Sequence, residues 1–372
     1  MRIVHLIARL NAGGPARVIA AVVRATVPHG IEHRVLCGAC PAGEPDDAGL
    51  VAAAGAVVER VPGLGRTPGL GDLRALGWIY ARLNVLRPDV VHTHTAKAGL
   101  LGRTIAGWLG IPCLHTYHGH VLTGYFPPLA SAAIAGIERL AAGRHRHHAL
   151  TPGQVRELRD DFRIGMPDRW SCLPPPVEPV TPSAAAWHAA LAPGLPVVGF
   201  LGRLVPVKDP FLWLDAFAAL AAQIPVQGLV CGEGPLRAPA ERLARERGLR
   251  VHWAGQVPAG EALAVTTILL MTSRNEGLPI AAVEAMGLGI PVVAPPVGGL
   301  ADLAAVGAIH PAIRDAPALA AACRRAVQTG VAPGAAALAA ALSPQALAAA
   351  WAELYAATAE RSAAGDIVQW PR

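Results

Sequence analysis

The stretch VVGFLGRLVPVKDPFLWLDAFAALAAQIPVQGLVC, residues 197–231, decides the predicted fold. Val197–Leu201 is a short apolar run of the strand type, Pro210–Gln223 has the composition of a helix, and Gln227–Cys231 is a second strand. A strand, a helix and a strand in this order form the repeating unit of a parallel sheet covered by helices. The stretch therefore predicts an α/β fold.

The same alternation extends in both directions from this stretch. Further strands are predicted at Ile3–Ala8, His33–Leu36, Asp89–His92, Pro112–Thr116, Arg250–Trp253, Ile268–Met271 and Val292–Ala294, and further helices at Pro15–Val27, Lys97–Leu109 and Leu236–Arg247. The proline-rich run 174–182 interrupts the pattern, because proline continues neither a sheet ladder nor a helix interior. We predict two facing, doubly wound, Rossmann-like domains joined there. The alanine-rich end, 335–359, is predicted to be helical.

Composition supports this organisation and separates the two halves. The 372 residues are enough for about two domains, and 53% hydrophobic with 16% charged residues is typical of a globular chain. Residues 1–180 carry 19 basic and 13 acidic side chains, whereas residues 181–372 carry 13 of each. A basic first half fits an acidic partner, such as a phosphorylated substrate or an anionic membrane surface. Only two of the basic residues are lysines, Lys97 and Lys208.

Several classes of protein are disfavoured by the sequence. The apolar run in the N-terminal segment MRIVHLIARL is too short for a secretory signal, and a charged residue follows it too early. The two long runs without charged residues contain proline, histidine or mostly alanine, so neither resembles a membrane span. Cys37 and Cys40 form a lone CxxC pair, and a zinc site normally needs four ligands. We expect reduced cysteines, no metal and a cytoplasmic location.

Two loops that follow predicted strands carry features suited to anions. Gly13 and Gly14 follow the first strand and allow a close backbone approach, with a helix N-terminus behind them. They do not form the GxGxxG pattern, so a nicotinamide cofactor is not supported. After the strand at 197–201, Arg203 offers a planar fork for phosphate oxygens and Lys208 a compact charge. A plain turn and two solvated charges are the alternatives.

A third loop carries two carboxylates eight residues apart. Glu276 lies in the loop after the strand at 268–271, and Glu284 lies on a short helix that starts near Pro279. Carboxylates accept hydrogen bonds from vicinal hydroxyls, so such a pair suits a sugar or a ribose. The helix N-terminus beside them suits a diphosphate.

Histidines cluster after two strands of the first half. His115, His118 and His120 follow one strand, and His92 and His94 follow the preceding one. Imidazoles donate and transfer protons near neutral pH, and no carboxylate lies in these segments to complete a metal site. The run 145–148 is expected to be a basic surface run, either solvated or contacting a membrane or an acceptor. Lys97 is placed in a strand-to-helix loop that faces the predicted cleft.

The second and third loops together resemble a known family, the retaining, nucleotide-sugar-dependent glycosyltransferases of family 4, which have the GT-B fold. The resemblance is carried by GRLVPVKDP, by Gly232-Glu233-Gly234-Pro235, by EGLPIAAVEAMGLGIPVVA and by Val297-Gly298-Gly299. The THTAKAGLLGR and TYHGH segments are also similar. Thr266-Thr267, the compressed segment after Leu303 and the run Leu173–Val177 depart from the family pattern.

The resemblance implies a role for each part of the chain. Residues 1–176, with a C-terminal helix at about 343–372 that crosses back, form the acceptor-side domain, and residues 177–342 bind the nucleotide-sugar donor. Arg203 and Lys208 bind the diphosphate, Glu276 the transferred sugar, Glu284 the ribose, and His118 lines the catalytic centre. The expected catalytic set is His118, Arg203, Lys208 and Glu276; the donor-binding set is Gly13, Gly14, Gly202, Gly232, Glu233, Gly234, Asn275, Gly277, Leu278 and Glu284; acceptor-side candidates are His92, His94, Lys97 and His120.

The predicted function is therefore transfer of a sugar, with retained configuration, from a nucleotide diphosphate (UDP by family habit) to an acceptor hydroxyl. No metal or resident cofactor is expected, since the family normally needs none. The expected acceptor is a sugar, a lipid-linked group or a small molecule in polysaccharide, glycolipid or glycoconjugate synthesis. No nucleic-acid partner is expected, and a peripheral contact with an anionic membrane is compatible with the sequence. A nucleotide-sugar epimerase of the same architecture and an inactive, transferase-like binding partner are the alternatives; hydrolysis by paired carboxylates is disfavoured.

Overall fold

A computed structural model describes residues 1–11, 13–65, 69–119, 122, 128–361, 367–368 and 370. The chain divides into two compact units. Met1–Pro176 and Leu342–Trp370 form one, called the N-terminal unit below, and Val177–Ala341 form the other, the C-terminal unit.

Strands and helices alternate along both units. The strands are β1 (Arg2–Arg9), β2 (Glu32–Gly38), β3 (Val57–Arg60), β4 (Val90–His94), β5 (Cys113–Tyr117), β6 (Arg146–Ala149), β7 (Trp170–Cys172), β8 (Val197–Leu201), β9 (Gln227–Cys231), β10 (Val251–Gly255), β11 (Ile268–Leu270), β12 (Val292–Ala294), β13 (His310–Pro311) and β14 (Ile367–Val368). The α-helices are α1 (Gly14–Thr26), α2 (Ala48–Ala53), α3 (Gly71–Leu86), α4 (Ala96–Leu109), α5 (Pro128–Ala142), α6 (Pro152–Arg156), α7 (Pro210–Ala221), α8 (Arg237–Glu246), α9 (Ala259–Val265), α10 (Ile280–Gly287), α11 (Gly299–Ala305), α12 (Ala316–Thr329), α13 (Ala335–Ala341) and α14 (Pro344–Ala359).

Each unit is built on one parallel sheet. The strand order is β14-β7-β6-β5-β4-β1-β2-β3 in the N-terminal unit and β10-β9-β8-β11-β12-β13 in the C-terminal unit, and the paired strands run parallel. The chain fills one side of each sheet first and then reverses, between β1 and β4 and between β8 and β11. Ligands of open α/β sheets bind beyond the carboxyl ends of the strands at this reversal. The predicted fold class, two Rossmann-like units as in GT-B proteins, is confirmed.

Local sequence explains where the central helix of the C-terminal unit begins and what it buries. The carboxylate of Asp209 accepts a hydrogen bond from the backbone of Leu212 at 3.2 Å, and Pro210 occupies the first helical turn of α7. Trp213 and Phe217, one turn apart on this helix, are both buried and stack with ring centroids 5.2 Å apart. This apolar face fixes α7, and therefore the loop before it, on the sheet.

The alanine-rich end forms two helices instead of one continuous helix. Ser343 starts α14, because its hydroxyl accepts a hydrogen bond from the backbone of Ala346 at 3.3 Å and proline follows in the first turn. In the N-terminal unit α14 packs against α1, and Trp351 donates to the carbonyl oxygen of Pro174 at 3.0 Å. The prediction that the C-terminal helix crosses back is confirmed. Its predicted end near residue 372 is wrong, because α14 ends at Ala359 and Ile367–Val368 form β14.

No single described helix is long and apolar enough to span a membrane. Helices α13 and α14, which meet at a bend of 47°, have the length and composition for it only when taken together.

The run 145–148 is not a surface run, so that prediction is wrong. Arg146 begins β6, which lies between β5 and β7 in the sheet interior, and His147 and His148 are fully buried. Neighbouring strands supply partners for these polar side chains: His148 Nδ1 lies 3.1 Å from the hydroxyl of Ser171. Three of the four basic residues thus belong to a buried strand. One ring nitrogen of His147 and one of His148 face the hydroxyls of Tyr117 and Ser171, whereas the Nε2 atoms of both rings have no hydrogen-bond partner among the described residues.

Candidate functional site

The reversal point of the C-terminal sheet brings together the two loops that the sequence singled out. Strands β8 and β11 are neighbours, with Ile268 opposite Val198, so the loops that follow them share one edge. The ammonium of Lys208 forms an ion pair with Oε1 of Glu276. The hydroxyl of Ser273 donates to the same oxygen at 2.6 Å. Two residues 68 positions apart thus form one polar centre.

This centre suits an anionic, hydroxyl-rich ligand. The side chain of Lys208 is 22% exposed and that of Glu276 is 9% exposed, so the ammonium is the more accessible of the two groups and the carboxylate keeps a smaller accessible edge. An ammonium has three hydrogens, and the ion pair with Glu276 uses one of them. The remaining hydrogens can bind phosphate oxygens, and the carboxylate can accept hydrogen bonds from hydroxyls.

Residues that the sequence did not single out hold the backbone of Lys208. The hydroxyl of Thr272 shares a hydrogen bond between the carbonyl oxygens of Lys208 and Asp209, at 3.0 and 2.9 Å. Asp209 adopts a left-handed conformation, with φ of 49°, and its carboxylate binds both Arg274, at 3.1 Å, and Arg314. Asp209 followed by proline is a readable helix start. The sequence did not predict that the two arginines contact Asp209, because they lie 65 and 105 residues after it in the chain.

The loop after β9 supports the loop after β8 through its glycines. A side chain at Gly232 would place its Cβ 2.0 Å from the carbonyl oxygen of Gly202, and one at Gly234 would come 2.4 Å from that of Leu204. The backbone of Leu204 donates to the carbonyl oxygen of Glu233 at 2.9 Å. The structure therefore gives Gly232 and Gly234 a packing role that requires the absence of a side chain.

The other members of the predicted donor-binding set surround these loops. Arg203 is exposed. Gly202 lies beside the side chain of Lys208: a Cβ placed on Gly202 would lie 3.9 Å from Cε of Lys208. Glu233 forms an ion pair with Arg237 at the start of α8. Leu278 is buried in the core, so its side chain is not available to a ligand.

The loop that carries Glu276 is fixed from the other side by Gly298. The backbone of Gly299 donates to the carbonyl oxygen of Glu276 at 3.0 Å. A Cβ at Gly298, where φ is 49°, would meet that oxygen at 2.2 Å and Asn275 Oδ1 at 2.5 Å. Glu284 lies farther along, half-buried in the second turn of α10, and Gly277 is buried at the loop end.

In the N-terminal unit the acceptor-side expectations change. His92 and His94 lie on β4, between β1 and β5, and each is 1% exposed, so neither side chain presents itself to an acceptor. His92 Nδ1 lies 2.9 Å from the hydroxyl of Tyr355 on α14, which covers this face of the sheet. Lys97 lies in the first turn of α4, not in a loop, and forms an ion pair with Asp72. His120 lies outside the described residues.

His118 and the glycine loop occupy the carboxyl ends of central strands. His118 follows β5 and is partly exposed, and its Nε2 lies 2.8 Å from Nδ1 of His94. Gly13 and Gly14 follow β1 and start α1, with Pro15 in its first turn. These positions are the ones at which ligands approach a parallel sheet.

Three buried histidines lie close enough to hold a metal ion. One ring nitrogen each from His5, His92 and His94 lies within 4.8 Å of the others. His5 Nδ1 is already 3.0 Å from His94 Nε2, and both nitrogens of His92 face hydroxyls, of Tyr355 and of Thr116. Burial holds the pKa of all three imidazoles well below 6.5. Hydrogen bonds therefore account for this cluster in its neutral form.

Two family models match the chain. The one described as "Glycosyl transferases group 1" matches residues 186–337, and the one described as "Glycosyl transferase 4-like domain" matches residues 13–176. Together they cover most of both units.

Curated relatives are similar over part of their length. The chain is 34% identical over 266 residues to a 2-deoxystreptamine glucosyltransferase of Streptomyces kanamyceticus, which covers 64% of this chain and 67% of the relative. It is 29% identical over 245 residues to a D-inositol 3-phosphate glycosyltransferase of Jonesia denitrificans, covering 57% and 56%. The chain spans about half the length of the D-inositol 3-phosphate glycosyltransferases that it matches.

Solved structures share the fold at low sequence identity. A sucrose-phosphate synthase from Thermosynechococcus elongatus superposes with a TM-score of 0.81 at 20% identity, covering 97% of this chain and all of the other. Anabaena HepE in complex with UDP-glucose gives a TM-score of 0.79 at 19% identity, covering 96% and 100%.

Proposed function

Because the chain belongs to the group 1 glycosyl transferases, with a glycosyl transferase 4-like N-terminal half, we propose that it transfers a sugar from a nucleotide diphosphate sugar to an acceptor hydroxyl. One observation carries the proposal: Lys208, Glu276 and Ser273 meet at the reversal point of the C-terminal sheet. This centre pairs a cation for a diphosphate with a carboxylate for sugar hydroxyls.

Each side chain has a defined role in the proposal. Breaking the anomeric C–O bond leaves an oxocarbenium-like sugar and a diphosphate, whose developing charge Lys208 and the exposed Arg203 stabilise. Glu276 accepts hydrogen bonds from the transferred sugar, and Glu284, on α10, from the ribose. Glu276 neutralises Lys208, and the ion pair holds the two charges next to each other.

We propose that the configuration is retained, as the resemblance to family 4 implies, and that no covalent glycosyl-enzyme intermediate forms. Glu276 is held by Lys208 and Ser273, an arrangement for hydroxyl contacts that disfavours attack on the sugar. We propose front-face attack by the acceptor hydroxyl, next to the departing diphosphate. No metal is required, since the cations and the N-terminus of α10 supply the positive charge.

The names of relatives favour a UDP-sugar and a polyhydroxylated acceptor. Anabaena HepE was solved with UDP-glucose, and an Escherichia coli relative is a UDP-Gal:alpha-D-GlcNAc-diphosphoundecaprenol galactosyltransferase. Other relatives are named for inositol 3-phosphate and 2-deoxystreptamine, both cyclitols. We propose UDP as the carrier and a cyclitol or a lipid-linked sugar as the acceptor, within polysaccharide, glycolipid or glycoconjugate synthesis.

The proposed location is the cytoplasm, at the inner face of a membrane. All six cysteines are free, as expected in a reducing compartment. On α5 the apolar side chains of Leu129, Ile137 and Leu140 are exposed by 87%, 51% and 88%, and Arg139 and Arg144 lie on or near this helix. Such a basic, apolar face suits a peripheral membrane contact.

Donor binding is tested by a thermal-shift panel of UDP, GDP, ADP, UMP and UDP-sugars. A ligand at ~100 times its Kd stabilises a protein by ~2.7 kcal/mol, which is roughly 5–10 °C in the melting temperature of a domain of this size. We expect UDP and a UDP-sugar to give this shift and UMP, which lacks the second phosphate, to give much less. Equal shifts with UMP, or none with any nucleotide diphosphate, would contradict the diphosphate site.

Incubation with the donor alone separates the alternatives. An epimerase converts the nucleotide sugar into a different one without an acceptor. An inactive partner binds the donor and converts nothing with any acceptor. The proposed transferase produces a glycoside only when an acceptor is present.

A further inference from the structure

A chain of four imidazoles crosses the N-terminal sheet on the face covered by α1 and α14. His33 Nδ1 lies 2.9 Å from His5 Nε2, His5 Nδ1 lies 3.0 Å from His94 Nε2, and His94 Nδ1 lies 2.8 Å from His118 Nε2. At the far end, His33 Nε2 lies 2.8 Å from the hydroxyl oxygen of Thr26 on α1. The chain therefore connects a helix residue to His118, the expected catalytic histidine.

Thr26 determines the direction of every hydrogen bond in this chain. Its hydroxyl oxygen lies 2.7 Å from the carbonyl oxygen of Val22, four residues back in the helix. A carbonyl oxygen only accepts, so the single hydroxyl hydrogen of Thr26 is directed to Val22. The Thr26 oxygen must then accept a hydrogen bond, and His33 Nε2 must carry the hydrogen.

When each of the four rings is neutral, the hydrogen on His33 Nε2 also determines the direction of the hydrogen bonds between the rings. Burial lowers the pKa of His33 to about 4 and that of His118 to about 3, and holds those of His5 and His94 well below 6.5. A neutral imidazole carries one N–H and one bare nitrogen. With its hydrogen on Nε2, His33 accepts at Nδ1 from Nε2 of His5, which in turn accepts at Nδ1 from His94.

These hydrogen bonds also determine the tautomer of His118, the last ring in the series. His94 accepts at Nδ1, so Nε2 of His118 carries the hydrogen and Nδ1 of His118 is bare. Nδ1 is buried and has no hydrogen-bond partner among the described residues, while the adjacent Gly119 is exposed. A buried acceptor without a partner, next to an exposed residue at the carboxyl end of a strand, is suited to a ligand hydroxyl.

We propose that Thr26, His33, His5 and His94 act as positioning residues that hold His118 in its Nε2–H tautomer, so that His118 presents a bare Nδ1 to accept a hydrogen bond from a substrate hydroxyl. The tautomer follows from the hydrogen bonds between the rings and from the neutral state of each ring. Only the identity of the ligand, a hydroxyl of the donor sugar or of the acceptor, rests on the proposed function.

The direct test is a long-range ¹H–¹⁵N correlation spectrum of the full chain labelled with ¹⁵N-histidine, at pH 7.5. His118→Asn and single substitutions of the other three histidines assign the signals. We expect His33, His5, His94 and His118 all to be neutral Nε2–H tautomers, with N–H···N couplings between successive rings. A hydrogen on Nδ1 of His118, a charged ring in the chain, or one equivalent of bound zinc that removes the couplings would overturn the proposal.

Two variants of Thr26 test whether this residue sets the direction. Thr26→Val keeps the shape of the side chain but removes the acceptor, so the buried N–H of His33 is left without a partner. We expect a mixture of tautomers in which His118 Nδ1 carries a hydrogen in part of the molecules. Thr26→Ser keeps the hydroxyl and should keep the uniform pattern. An unchanged His118 in Thr26→Val would refute the role of Thr26.

The readout separates this inference from the proposed function. If the tautomer pattern is found and no sugar transfer is detected with any donor, the proposed function fails and the positioning chain stands. If transfer is detected, its rate in Thr26→Val should fall in proportion to the molecules that carry a hydrogen on His118 Nδ1. Transfer with a reversed tautomer pattern would overturn the positioning chain alone.

Discussion

Replacing Lys208 by alanine is expected to lower the rate of sugar transfer roughly a hundred- to a thousandfold, the usual effect of removing one group that stabilises a developing anion. Lys208 lies in the loop after β8, and its ammonium forms an ion pair with Glu276. Its loss removes a cation from the leaving diphosphate, and donor affinity falls as well. The measurement is kcat and KM for donor turnover, with the affinity for UDP by calorimetry.

The design of the controls separates catalysis from folding. Lys208→Ala leaves the largely buried carboxylate of Glu276 without its cation, which lowers stability. The double variant Lys208→Ala with Glu276→Gln removes that charge, so stability should recover while transfer stays low. Arg247→Ala removes an exposed cation of the same unit, paired with Asp215, and should leave transfer unchanged. Wild-type rates in Lys208→Ala would refute the phosphate role.

Mild acid is expected to unfold the N-terminal unit before the C-terminal unit. Seven histidines of the N-terminal unit are at most 1% exposed: His5, His33, His92, His94, His115, His147 and His148. Burial lowers the pKa of each, to about 4 in His33 and about 3 in His147 and His148. The three histidines of the C-terminal unit are only half-buried.

The direction of the effect follows from proton binding. Unfolded imidazoles titrate near 6.5, so below this pH the unfolded chain binds protons that the folded unit does not. Stability is therefore complete above pH 6.5 and falls as the pH drops towards the folded pKa values. One pH unit below 6.5, each histidine contributes about 1.4 kcal/mol of destabilisation. Seven together reach on the order of 10 kcal/mol, comparable to the whole stability of a domain.

Pulse-labelling hydrogen exchange at a series of pH values measures this for each unit. We expect peptides from β1 and β4 to lose protection between about pH 6 and 5, while peptides from β8 and β9 stay protected. The uptake should be about eight to nine protons, because burial also lowers the pKa of His118 to about 3 and that of His145 to about 4. His148→Asn should lower the uptake by one. Simultaneous unfolding of both units, or an uptake below two protons, would contradict neutral burial.

Much of the fold was readable from the sequence. Val197–Leu201, Gln227–Cys231 and Val292–Ala294 are apolar runs between turn residues, and the structure has them as β8, β9 and β12 with the same bounds. The strands that were missed, among them β6 and β7, contain polar or aromatic residues whose partners lie elsewhere in the chain. Hydrophobic pattern does not reveal a strand whose burial depends on tertiary hydrogen bonds.

The sequence predicted only part of the candidate site, because some of its contacts join residues that no local pattern connects. Lys208 and Glu276 each follow a strand, and the parallel topology brings them to one edge. Arg274 and Arg314, which bind Asp209, could not be read, since no local pattern connects them. His92 and His94 were predicted to face a ligand because they were placed after a strand, whereas they lie on β4 itself. Sequence alone does not say that Tyr355 covers that face of the sheet.

We propose that this chain moves a sugar from a nucleotide diphosphate to an acceptor hydroxyl and that the sugar retains its configuration. The most direct measurement is ¹³C NMR of a reaction with the UDP-sugar that stabilises the protein most, labelled at its anomeric carbon, and a panel of cyclitol and lipid-linked acceptors. We predict UDP and a new α-glycoside in equal amounts. A β-glycoside, free sugar alone, a new nucleotide sugar, or an unchanged donor with every acceptor would contradict the account.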